Sequence, residues 1–131
     1  MTDMTGRSFA ISGLRVANAR MRVAMENLAN ANSTGEAPGA DPYRRKSLVF
    51  EPINDSDDPR MRIVSDDTPF RTRSIPGHPA ADERGQVKLP NVSEVAETSK
   101  LQSAMSAYTR NARALSMLDE VERKTLDVLR P

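Results

Sequence analysis

Cysteine and tryptophan are both absent from this 131-residue chain. Without cysteine there can be no disulfide, no thiolate metal site and no thiol catalysis. Aromatic residues are scarce at 4%: Phe9, Phe50, Phe70, Tyr43 and Tyr108. A chain of this length has room for one domain and buries a limited share of its surface. With so few large side chains its private core is small, so much of its order is expected to depend on partners. Neither sign of charge dominates, since 19 Lys and Arg face 18 Asp and Glu for a formal charge of +1. That balance argues against a nucleic-acid binder, which gathers a basic excess on one face. No apolar run approaches the ~18 residues that a membrane span needs. The first dozen residues, Met1 to Ser12, carry no sustained hydrophobic stretch of signal-peptide type. Direct membrane insertion is not expected, and export would need a route other than a cleaved secretory signal.

What is present is helix at both ends. Residues 5–31 hold no proline and no glycine after Gly13. Ala10, Leu14, Ala17, Met21, Ala24, Leu28 and Ala31 follow spacings of four and three, an apolar seam of period ~3.5 that predicts a helix in a coiled coil or bundle. Arg15, Arg20, Arg22 and Glu26 lie off the seam and read as a solvated face, while Val16 and Val23 hint at a second contact surface. A second helix is predicted over 93–129, with Ser93 as N-cap and Glu94 and Glu97 as first-turn acids. Its seam runs Leu101, Ala104, Tyr108, Asn111, Leu115, Leu118, Glu122, Thr125 and Leu129. Met105, Ala112, Val121, Leu126 and Val128 lie beside it, an apolar surface too broad for a single partner. The two helices are expected to pair, with Leu14, Met21 and Leu28 facing the C-terminal helix and the remaining apolar positions facing other subunits.

Between them, residues 32–92 hold every proline except the last residue. Pro38-Gly39, Asp41-Pro42, Asp58-Pro59, Pro76-Gly77 and His78-Pro79 interrupt any long element. Short strands are expected over 47–50, 61–64, 70–73 and 86–89, forming one or two hairpins. The fold is therefore mainly α: two terminal helices, 5–31 and 93–130, making one discontinuous unit around a small β-containing insert.

Catalytic, metal and cofactor readings find little to stand on. His78, the single histidine, is followed by proline and reads as a turn residue rather than a base. Gly35 and Gly39 lack the Lys and Ser or Thr of a phosphate loop. Asp55, Asp57 and Asp58 suggest a calcium loop, but Arg60 and Asp66 stand where its glycine and glutamate belong, so an acidic turn is favoured. Arg44, Arg45 and Lys46 form a basic run that reads either as a solvated turn or as an interface pairing with a neighbouring subunit. The first helix could lie on a membrane or serve as a transit peptide, but its apolar face is mostly Ala and Met, weak for lipid. A helical adaptor remains an alternative, because periodicity alone does not separate it from a polymer subunit.

Specific strings go further. Ser12-Gly13-Leu14, followed by Asn27-Leu28-Ala29-Asn30-Ala31-Asn32-Ser33-Thr34-Gly35, resembles the N-terminal signature of the flagellar rod and hook protein family. Pro42-Tyr43-Arg44-Arg45-Lys46 follows it as in one of the family's proximal rod members. So does the stretch from His78 and Pro79 through Gly85 to Pro90, Asn91 and Val92, leading into the C-terminal helix. Residues 107–111 and 124–130 look like the family's final helix. The resemblance covers both helices and the two ends of the insert and does not extend over 53–74. It implies a non-enzymatic subunit of the axial structure that crosses the periplasm, exported through the flagellar type III apparatus without signal-peptide cleavage. It further implies terminal helices that polymerise around an export channel, with copies of the same chain, other rod proteins and the base of the rod near the inner-membrane ring as neighbours.

Overall fold

The computed structural model describes residues 6–51 and 60–131. Helix α1 spans Gly6–Ala29 and α2 spans Glu94–Leu129, with four short strands between them. No described helix is long and apolar enough to cross a membrane.

Each helix ends where its sequence supplies a cap. Ser93 is extended, and its side chain accepts from the Ala96 amide, which starts α2. At the other end Pro131 disfavours helical backbone at Arg130, and α2 stops at Leu129. Helix α1 ends two residues before the expected Ala31. The Asn30 side chain donates to the Glu26 carbonyl at 2.9 Å, and a turn bonded from Ala31 to Leu28 and from Ser33 to Asn30 takes over.

The helices run antiparallel. Gly6 lies against Leu118, Gly13 against Asn111, and Asn27 bonds Glu97. Of the α1 seam, Ala10, Ala17 and Ala24 are buried, as is Ala31 in the following turn, while Leu14, Met21 and Leu28 are half-buried. Small residues let the backbones approach: a methyl group on Gly13 would sit 2.3 Å from the Asn111 Oδ1. The same smallness limits the core, since each buried methyl contributes only about 0.8 kcal/mol. On α2 the seam is covered from Leu101 through Ala104, Asn111 and Leu115 to Leu118. From Glu120 onward every position is exposed.

The insert forms two antiparallel hairpins in separate two-stranded sheets. Strands β1 (Lys46–Glu51) and β2 (Arg60–Ser65) pair with Leu48 opposite Ile63 and Phe50 opposite Met61. Strands β3 (Arg71–Ser74) and β4 (Gln86–Leu89) pair with Arg73 opposite Val87. Both hairpins fall where the short alternating or apolar stretches of the insert place them. Ala80, Val87 and Leu89, with Ile75 and Ala81 against them, make a small core under the second hairpin. The turn after β3 has Pro76 and then Gly77 at φ +86, with His78 N–H donating to the Ile75 carbonyl. This is a type II turn, which requires a residue with positive φ at its third position.

Candidate functional site: a buried polar junction

Four pieces of chain meet where α1 ends, α2 begins and β1 starts, and polar groups fill the meeting point. Asn27 is 0% exposed and Glu97 1%, the two buried polar side chains among the described residues. The Asn27 carboxamide is saturated. Its Oδ1 accepts from the Tyr43 hydroxyl at 2.7 Å and from the Lys46 amide at 2.9 Å. Its Nδ2 donates to the Lys46 carbonyl at 2.9 Å and to Glu97 Oε2 at 3.2 Å.

Arg45 carries the network outward. Its Nε donates to Glu97 Oε1 at 2.6 Å, and its terminal nitrogen to Asp66 and Ser47. Its backbone amide donates to Asn91 Oδ1 at 2.7 Å, while Asn91 Nδ2 donates to the carbonyls of Asp66 and Thr68. The same two carbonyls accept from Arg44, whose guanidinium stacks 4.1 Å from the Phe70 ring centroid. Lys46 pairs with Glu26, and Asn32 donates to Glu94 at 3.0 Å.

Burial disfavours the Arg45 cation, but the hydrogen bond to and charge of Glu97, with Asp66 behind it, more than compensate and raise its pKa. Burial pushes the Tyr43 phenol up to about 12, helped by the negative charges of Glu26 and Glu97. The Asp66 carboxyl is held down at about 2, first by the Thr68 hydroxyl and amide and then by Arg45, against its desolvation.

The arrangement is a lock. With the Asn27 carboxamide and the Glu97 carboxylate engaged inside the network, what it can do is fix geometry. The α1 seam repeats Ala every seven residues, so sliding one helix by a heptad, on the order of 10 Å, would again bring Ala onto the seam. Apolar contacts alone therefore define the register weakly. A buried, mutually satisfied polar set exists in one register only.

The sequence-predicted residues distribute unevenly around this centre. Asn27, Tyr43, Arg45 and Asn91 come together in it, Arg44 lies beside it, and Asn30 and Asn32 fasten its edge. Pro42 and Pro90 are buried nearby in sequence. Leu28 is half-buried and Ala29 exposed; Ser33, Thr34 and Gly35 follow the turn beyond α1, and Gly35 approaches the Ala40 backbone too closely for a side chain. His78, Pro79 and Gly85 belong to the far turns: the His78 Nδ1 accepts from the Ala80 amide at 3.0 Å. Tyr108, Met105, Leu126 and Leu129 stay exposed in the single subunit. The Asp55, Asp57 and Asp58 turn lies outside the described residues.

Two readings change with the structure in view. The run Arg44-Arg45-Lys46, read as a solvated turn or a pairing with a neighbour, is engaged inside the subunit at all three positions. Glu26, read as solvated, is the partner of Lys46. Glu97 escaped the sequence reading except as a first-turn acid. The available signal was its place four residues before Leu101 and seven before Ala104 on the seam face of α2, opposite Asn27 in an antiparallel pairing.

No protein-family model matches the chain. It is similar to the flagellar basal-body rod protein FlgC of Agrobacterium fabrum, 39% identical over 124 residues, covering 91% of this chain and 89% of the relative. The protein of that name from Yersinia enterocolitica is 34% identical over 120 residues, covering 88% and 89%. That from Borreliella burgdorferi is 29% identical over 142 residues, covering 92% and 93%.

Proposed function

We infer the role of this chain from where it belongs: it is a member of the FlgC family of flagellar basal-body rod proteins. It is a structural subunit of the proximal rod and not an enzyme. The observation that carries this reading is similarity along about nine-tenths of the chain and of its relatives, which takes in both helices and both hairpins. The geometry is in keeping with it. Two terminal helices locked in one register give a stiff unit, and the uncovered end of α2 leaves apolar surface for assembly to bury.

In this reading the terminal helices polymerise as part of the drive shaft and of the channel through which later subunits are exported. The chain reaches the periplasm through the flagellar type III apparatus. Its neighbours are copies of itself, other rod proteins and the base of the rod near the inner-membrane ring. The domain plan goes with this role: residues 5–31 and 93–130 form the axial core, and 32–92 form the insert. Among the described residues no three His, Cys, Asp or Glu converge to hold a metal ion, and the proposed role needs no cofactor.

The test is to delete the gene, score swimming, and probe purified hook–basal bodies from a strain complemented with a tagged copy. Lost motility with the tagged chain in the rod fraction is the expected result. Normal swimming with the chain absent from that fraction would overturn the assignment in favour of a helical adaptor.

A further inference from the structure

Strand β1 has a second edge, turned away from β2. The Asp66 amide donates to the Arg45 carbonyl at 2.8 Å, so these two residues extend the β1–β2 register as a hydrogen-bonded pair. Backbone groups alternate sides along a strand, which aims those of Lys46, Leu48 and Phe50 away from β2. At Lys46 this outer edge is filled. The Asn27 carboxamide accepts from the Lys46 amide and donates to the Lys46 carbonyl, both at 2.9 Å, the pairing a neighbouring strand would make. Beyond Lys46 the pairing stops, and no described residue bonds the outward amides and carbonyls of Leu48 and Phe50. Both residues border a cleft of about 330 Å³ between the strand and the helix pair, with Val23, Ala24 and Ala104 as its apolar floor. An open edge beside a hydrophobic cleft is the arrangement by which a sheet takes up an added strand.

Charge narrows what that strand is. Four cations line the cleft, and two of them are satisfied within the subunit: Arg45 by Glu97 and Asp66, Lys46 by Glu26. Arg20 lies 5.3 Å from the Phe50 ring centroid, with no ion pair among the described residues. Lys100 comes no nearer than 3.8 Å to Glu97, whose carboxylate already serves Arg45 and Asn27. The cleft is thus apolar within and cationic at its rim. The acids at the end of α2 do not supply the missing charge, because they already hold Arg7, Lys124 and Arg130. We propose that the outer edge of β1 takes up an extended, acidic segment of a different basal-body protein as a third strand. Its backbone pairs with Leu48 and Phe50, an apolar side chain enters against Val23 and Ala104, and its carboxylates meet Arg20 and Lys100. Asn27 closes the edge at Lys46 and so sets where the added strand stops. This rests on the rod-subunit reading and names a contact for it.

The test uses the full chain in its own flagellum. Photoreactive p-benzoyl-phenylalanine replaces Phe50 in one strain, Ser103 in a second and the exposed Arg22 in a third. Adducts are mapped in hook–basal bodies purified after illumination. Both cleft positions should join a different protein, within a peptide rich in Asp and Glu, and Arg22 should not. Adding Arg20→Glu to the Ser103 strain should lower the adduct yield per chain about tenfold, because like charges then face each other. Hydrogen exchange tests the strand pairing without a substitution: the Leu48 and Phe50 amides should exchange faster in the purified chain than in basal bodies. No adduct from either cleft position, an adduct of two copies, a lipid adduct, a joined peptide without acids or an equal adduct from Arg22 would each overturn the proposal. So would an undiminished yield with Arg20→Glu, or equal exchange of the two amides in the free chain and the rod. The amount of chain in unilluminated basal bodies reads the rod assignment separately. A chain present there without the adduct removes the docking contact alone; a chain absent from that fraction removes both.

Discussion

At one end of the helix pair, Asn27 and Glu97 are 0% and 1% exposed and bonded to each other, with Tyr43, Lys46 and Arg45 around them. At the other, Val128 and Leu129 are 83% and 73% exposed. Polar groups are buried and apolar groups stand in water, the reverse of the ordinary preference. The inversion has a reason at each end. An alanine seam offers little burial and repeats every heptad, so the subunit needs a polar set to define its register. Apolar surface at the far end stabilises nothing in the isolated chain; in the proposed rod assembly another subunit buries it, which links order to assembly.

Breaking the polar end should have the largest effect. Glu97→Ala leaves the Arg45 cation without its shorter carboxylate partner and removes an acceptor from Asn27. Losing one partner of a buried pair costs about 3–5 kcal/mol, a large share of the stability of so small a domain. Urea unfolding of the purified chain followed by circular dichroism measures it; the double variant Glu97→Ala/Arg45→Ala should regain part of the loss. A single-variant change within experimental error would show that the lock is ornamental to stability.

Between the two ends, the close helix crossing offers a smaller test. Gly13→Ala gains about 1 kcal/mol of helix propensity but places a methyl group on Asn111. That side chain is held by its 2.8 Å bond to the Ala107 carbonyl, and overpacking costs about 1–3 kcal/mol. A net loss in thermal unfolding is expected. Gly13→Ala/Asn111→Ala should remove the clash and be more stable than Gly13→Ala alone.

Acid sharpens the comparison from another side. Asp66 is depressed from 3.8 to about 2 in the folded chain. Its contribution is fully present above the unfolded value and is lost as pH falls through about 2. Stability of the native chain should fall across that window, and Asp66→Asn should flatten the fall. An identical slope in the variant would mean that other carboxylates govern it.

The smallest change in subunit stability is expected at the exposed end. Leu129→Ala should alter unfolding by no more than about 0.5 kcal/mol, yet lower the amount of chain recovered in basal bodies. Unchanged recovery would mean that this helix end is not an assembly surface.

Much of the architecture was legible in the residues. The α1 seam was readable because the period of a helix pairing puts Ala and Leu or Met on one stripe, and Ser93 announced its cap by type and position. The four strands fell within a residue or two of expectation because short alternating or apolar stretches survive among the prolines and glycines of the insert. The expected helix end at Ala31 was late because periodicity continues past Ala29, while the Ala31 amide turns to the Leu28 carbonyl and the Asn30 side chain adds a second bond to the Glu26 carbonyl.

The junction was legible only in part. Asn27, Tyr43, Arg45 and Asn91 stood out through the family strings, without any indication that they touch. Glu97 and Asp66 are separated from Arg45 by 52 and 21 residues, and nothing in local pattern links such positions. By itself the sequence determined the helices, the turns and the thinness of the core, because these follow from local backbone preference and side-chain size. Only the tertiary structure decided which charges are neutralised inside the subunit. That choice depends on the antiparallel register bringing Asn27 to Glu97, and on the insert returning to place Arg45 between the helix start and Asp66.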